Sequence, residues 1–128
     1  MSDLNVSDVR TFIPAKDFSV SKRFYAALGW DTHDVGPGIA LVRLGERQHF
    51  YIQDYYLKDV AENTMLHITV EDAHAWYRHA ASVLRDGDFP DARVQPPVRQ
   101  AYGASVTFVH DPTGVLLHLC QWDEPAGP

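Results

Sequence analysis

Cysteine is almost absent: Cys120 stands alone, so no disulfide can close within the chain and no cysteine-based zinc module can form. Long apolar runs are missing too, and nothing approaches the ~20 residues that a membrane-crossing helix requires. Cations are few. Against 17 Asp and Glu stand 11 Lys and Arg, for a formal net charge of −6. Such a surface repels phosphate backbones and anionic headgroups, which argues against nucleic acid and membrane partners and favours a cationic small molecule. The opening MSDLNVSD has neither the basic nor the apolar region of a signal peptide, and the expectation is a soluble, cytoplasmic protein. There is no G-x-S-x-G elbow, no P-loop and no G-x-G-x-x-G, so the common nucleophile and phosphate signatures are excluded.

What is present suffices for one core. The chain has 128 residues, 45% of them hydrophobic, which predicts a single domain spanning residues 1–128. Val9–Pro14 alternates and predicts a strand. Asp17 or Ser19 can cap a helix that carries Val20, Phe24, Tyr25 and Leu28 at helical spacing, and Gly29 ends it. Short strands are expected at Trp30–Val35, Ile39–Leu44 and His49–Gln53, separated by Gly36-Pro37-Gly38 and Gly45-Glu46. The pattern then restarts. Met65–Val70 predicts a strand, Glu71 and Asp72 stand where a cap belongs, and Ala73–Leu84 predicts a helix with Trp76, Tyr77 and Ala80 on one stripe. Arg93–Gln100, Ala104–His110 and Val115–Trp122 complete it as strands, with Pro96-Pro97 marking a loop or an edge. The tail Asp123–Pro128 is expected to fray.

The order is β-α-β-β-β, twice: module 1 over about 8–60 and module 2 over about 64–122. Either module alone could bury only one face of its sheet. The expectation is an α+β fold in which the two modules form a curved mixed sheet around a concave cavity, with helices outside.

Three segments carry a resemblance. Phe24–Trp30 reads F-Y-A-A-L-G-W, Val70-Glu71-Asp72 opens the second helix, and Asp111-Pro112-Thr113-Gly114 precedes the last strand. In order and spacing these resemble the F-Y-x-x-L-G-[FW], V-x-D and D-P-x-G motifs of the vicinal oxygen chelate superfamily. The superfamily includes glyoxalase I, extradiol dioxygenases, fosfomycin-modifying enzymes and bleomycin-binding resistance proteins, so the resemblance implies a fold rather than one activity. Many of its enzymes hold a divalent metal with four cavity residues. By the resemblance, those positions fall on Arg10, Tyr51, Met65 and His118. Arginine stays protonated and cannot ligate, while Met and Tyr suit hard catalytic metals poorly. Only His118 fits. A register shift offers the alternative of His67 and His118, joined by Gln53, holding a divalent ion such as Zn, Ni or Mn in a metal-dependent glyoxalase-like lyase.

The stretch Gln53–Thr64 running into Met65–Val70, and Tyr102-Gly103-Ala104 followed by Phe108, resemble the bleomycin-resistance branch. That branch implies a homodimer that holds a drug between two subunits and sequesters it without catalysis or cofactor. The modules can pair within one chain or across the dimer. Strand alternation, with His118 pointing inward, gathers Leu116, Cys120 and Trp122 on its face, Tyr51 and Gln53 with His49, Arg10 with Phe12, and Met65 and His67 with Thr69. The expected ligand-binding set is Arg10, Phe12, Tyr51, Gln53, Tyr55, Met65, His67, Tyr102, His118 and Trp122. Rings with polar tips predict an aromatic or cationic small ligand. Phe12, Trp76, Tyr77 and Phe108, at regular spacing, read as core before site.

Overall fold

Strand β1 spans Phe12–Ala15 in the computed structural model, which describes residues 4–124 and 127. Asp17 follows in extended backbone, and its carboxylate accepts from the Val20 N–H at 3.1 Å to start α1, Phe18–Ala27. Gly29, at φ +104°, supplies the left-handed turn that ends the helix. Strands β2 (Asp31–Gly36), β3 (Ile39–Arg43) and β4 (His49–Asp54) then complete a four-stranded sheet in the order β1-β4-β3-β2. The pairing of β1 with β4 is parallel, with Phe12 opposite Tyr51.

A short helix, α2 (Lys58–Glu62), leads into β5 (Met65–Thr69). Asp72 repeats the part of Asp17: its carboxylate accepts from the Ala75 N–H at 3.0 Å and starts α3, Ala73–Asp86. Strands β6 (Arg93–Val94), β7 (Val98–Gln100), β8 (Ala104–His110) and β9 (Leu116–Trp122) follow. The second sheet runs β5-β9-β8-β6, with β7 also pairing with β8. Here β5 and β9 are parallel, with His67 opposite His118. The repeated order is therefore a repeated register as well.

Several details differ from the sequence expectation. The first strand begins at Phe12 rather than Val9, although the Tyr51 N–H still donates to the Thr11 carbonyl at 2.9 Å. Within Gln53–Thr64, where no helix is expected from the sequence, Lys58–Glu62 forms α2. Arg93–Gln100 is split into β6 and β7, because Pro96 and Pro97 have no N–H to give a ladder. The curved sheet is built as two sheets, one per module. Of the tail, residues 125, 126 and 128 lie outside the described residues.

The modules meet through a shared apolar core. Ile13, Phe24, Tyr25 and Ile52 of the first join Phe89, Val109, Leu117 and Leu119 of the second. The Tyr25 hydroxyl crosses between modules and donates to Asp111 Oδ2 at 2.6 Å. Asp111 Oδ1 accepts from the N–H groups of Thr113, Gly114 and Val115 at 2.8, 2.9 and 3.0 Å. Burial pushes the Asp111 carboxyl above its ordinary range, and these hydrogen bonds oppose that rise. Two of the motifs that carry the resemblance thus lock the modules together. Both sheets spend one face on this core, and Phe12, Tyr51, His67 and His118 stand on the opposite faces. No helix among the described residues is long and apolar enough to cross a membrane.

Candidate ligand-binding site

The open face of the second sheet is a continuous run of rings. Parallel pairing sets His67 beside His118, with ring centroids 6.0 Å apart and planes 30° apart. The His118 ring meets Phe108 at 5.0 Å, and its Nε2 lies 3.4 Å from the Met65 Sδ. Trp122 stands 5.6 Å from His67, and Tyr102 stands 5.6 Å from Trp122. The Trp122 Nε1–H donates to the Thr69 hydroxyl at 3.1 Å, which fixes the indole plane. Burial, helped by the neighbouring His67, holds the His118 imidazole below its ordinary 6.5. The surface is aromatic and weakly polar, and none of these ring contacts involves an Asp, Glu, Lys or Arg.

The open face of the first sheet has opposite character. Arg10 spreads its guanidinium over three partners: Asp8 Oδ2 at 2.7 Å, the Tyr51 hydroxyl at 2.8 Å and His49 Nε2 at 2.9 Å. Phe12 stacks on Tyr51 with centroids 4.8 Å apart and is half exposed. The hydrogen bond from Arg10 holds the Asp8 carboxyl below the usual carboxylate range. Strands β1 and β5 each end their sheet. A cleft of about 810 Å³ draws its lining from both modules, including Thr11, His49, Phe50, His67, Thr69 and Trp76.

The ten expected ligand residues therefore fall into groups. Arg10, Phe12 and Tyr51 assemble on the first sheet. Met65, His67, Tyr102, His118 and Trp122 assemble on the second. Among the described residues, no hydrogen bond or ring contact joins the two groups, and only His67 of the ten lines the cleft. Gln53 is exposed on β4, and Tyr55 bridges Ala15 through its backbone, outside both groups. Phe108, read as core, packs against the buried cluster of Ala104, Val106 and Cys120 and also meets the His118 ring on the second face. Asp8 was not singled out. Its signal is the two-residue spacing Asp8, Arg10, Phe12, which puts all three on one side of an extended chain.

The four positions of the superfamily's divalent metal do not fit such an ion. The Arg10 donors are engaged by Asp8, Tyr51 and His49, and Met65 offers only a thioether. Gln53 stands on the other sheet and hydrogen-bonds to neither His67 nor His118. Among the described residues, no three His, Cys, Asp or Glu side chains converge.

Comparison with known proteins adds descent to geometry. No family model matches the chain. It is 25% identical over 116 residues to a bleomycin resistance protein of Klebsiella pneumoniae, an alignment covering 90% of this chain and 92% of that protein. The chain is thus similar to that bleomycin resistance protein over most of the length of both. The crystal structure of a bleomycin resistance determinant encoded on transposon Tn5 superimposes with a TM-score of 0.75 at 24% identity, over 92% of this chain and 100% of that one. The bleomycin-binding protein of Streptomyces verticillus, solved with copper(II)-bleomycin, gives a TM-score of 0.73 at 22% identity, over 91% of this chain and 96% of that one. The bleomycin-resistance fold is the α+β fold expected from Phe24–Trp30 and Asp111–Gly114.

Proposed function

We propose that the chain binds and sequesters a bleomycin-like, antibiotic-type small molecule and does no chemistry on it. The observation that carries this reading is the aromatic run Tyr102–Trp122–His67–His118–Phe108, open on one sheet of a bleomycin-resistance fold. Flat rings with polar tips stack on heteroaromatic groups, and a net charge of −6 draws cationic ligands toward the protein.

The working unit in this reading is a homodimer in the cytoplasm. Leu4, Val6 and Val9 are 73%, 78% and 83% exposed, and Met65 and Tyr102 are 61% and 55% exposed. A lone subunit leaves that apolar surface in water, together with the outer edges of β1 and β5. The groove is then the first-module face of one subunit set against the second-module face of the other. The single buried thiol of Cys120 suits a reducing compartment.

Calorimetric titration with bleomycin at low and moderate salt tests the reading. The expected result is saturable binding of one drug per subunit, weakened by salt. Absence of heat at both salts would overturn it, as would turnover of any substrate that is lost in His118→Gln.

A further inference from the structure

Of the aromatic run on the second sheet, only His67 reaches the cleft between the modules, whose walls come from other residues. We propose that this cleft is a second binding site, for an organic monocation with a flat aromatic body. Its volume of about 810 Å³ is in the range of sites that hold drug-sized ligands, and junctions between structural units are where such sites form. One wall is indole. Trp30 and Trp76 stand with ring centroids 5.6 Å apart and planes 44° apart. Trp76, read as core from the sequence, is only partly buried on the shared core and lines the cleft as well. The His79 ring meets it edge-on at 5.5 Å, and the His79 Nε2 lies 2.8 Å from the Leu28 carbonyl oxygen. The Trp76 plane is thus braced before any ligand arrives. Leu66 and Ile68 of β5 extend the apolar wall.

The charge of the ligand follows from the start of α3. Asp72 precedes Trp76 by four residues, about one helical turn, so both lie on one side of the helix. Asp72 Oδ1 accepts from the Ala75 N–H at 3.0 Å, whereas Oδ2 has no hydrogen-bond partner among the described residues. Glu71 stands next to it in the lining and forms no ion pair among the described residues. Against these two acids the lining has one Lys or Arg side chain, Arg47, on the loop between β3 and β4. A cation over an indole face and beside a carboxylate gains from both, and Trp is the best of the rings for it. An anion of the same size gains from neither. Both acids are exposed, so salt screens their part.

The test titrates the full-length chain with thioflavin T, an aromatic monocation whose emission rises when it is held rigid. Anilinonaphthalene sulfonate serves as the aromatic anion. The expected result is one thioflavin T per chain, weakened by salt, with the anion bound about tenfold more weakly or worse. Trp76→Leu is expected to weaken thioflavin T by about tenfold or more. Asp72→Asn, which keeps a capping side chain, is expected to weaken it by about threefold or more. Ala75→Leu adds bulk to the cleft lining from a helix position that tolerates leucine, and is expected to weaken it by about tenfold. The far-ultraviolet dichroism of these last two variants stays unchanged. Equal affinity for the anion overturns the proposal, as does natural thioflavin T affinity in both Asp72→Asn and Ala75→Leu. Loss of the dye in Trp122→Ala overturns it too, because the dye would then sit on the second sheet. A chain that ignores bleomycin but binds thioflavin T in this pattern keeps the cleft site and loses only the sequestration reading.

Discussion

The two modules share a frame and fill it with opposite chemistry. In each, an aspartate caps the long helix, and the first strand pairs in parallel with the last. Phe12 over Tyr51 in one occupies the register of His67 beside His118 in the other, with interplanar angles of 27° and 30°. Arg10 stands where Met65 stands in the repeat, two residues before the ring. The first face presents an ion-paired guanidinium held by Asp8 and Tyr51. The second presents imidazole, indole and thioether. Duplication of a backbone register thus fixes where side chains point, while their identities divide the work: one face positions polar groups, and the other stacks.

The largest effect is expected where the modules join. Asp111→Ala removes four hydrogen bonds at a buried carboxylate and leaves Tyr25 without its acceptor. A loss of about 3 kcal/mol in chemical denaturation is expected, against about 1 kcal/mol for Tyr25→Phe. Equal, small losses would mean that the modules do not depend on this junction. Next comes the stacking face. Trp122→Ala is expected to weaken bleomycin by about tenfold or more in calorimetry, at little cost to the unfolding midpoint. Tyr51→Phe should weaken it less. It keeps the ring that stacks on Phe12 and removes only the oxygen that accepts from Arg10. If Tyr51→Phe proves the more damaging change, the division of labour is reversed.

The smallest effect is a proton. Burial and His67 hold the folded pKa of His118 below its unfolded 6.5. The stability from this residue is therefore fully present above pH 6.5 and is lost as pH falls through the lower, folded value. An NMR titration should show His118 below 6.5, with His67→Gln moving it only part of the way back, because burial is the larger cause. A midpoint at or above 6.5 would mean that burial does not hold the His118 imidazole down on the second face.

Much of the frame was legible because it is written locally. Caps at Asp17 and Asp72, the Gly29 stop and the Asp111–Gly114 turn each act within a few residues. Alternation likewise groups Met65, His67 and Thr69 on one side of β5, since the side-chain period of a strand is two. What alternation cannot supply is the partner of a face, which depends on contacts distant in sequence. Hence the ten expected residues read as one cavity, but eight of them divide between two separate faces and Gln53 and Tyr55 join neither. Phe108 read as core because a strand phenylalanine has the same signature whether it meets a neighbouring sheet or a His118 ring. The short α2 was hidden for another reason: Leu57, which precedes it, makes no side-chain cap.

The account's central claim is that one groove takes its first-module face from one subunit and its second-module face from another. Mixing two crippled variants, Tyr51→Ala and Trp122→Ala, tests it most directly. Each alone damages every groove. If grooves form between subunits, a reassembled mixed dimer contains one doubly damaged groove and one intact groove, so each mixed dimer recovers one bleomycin site of natural affinity, half the natural number, while the two parent homodimers in the mixture recover none. If the mixture binds no better than either variant alone, the groove does not form between subunits and the account is wrong.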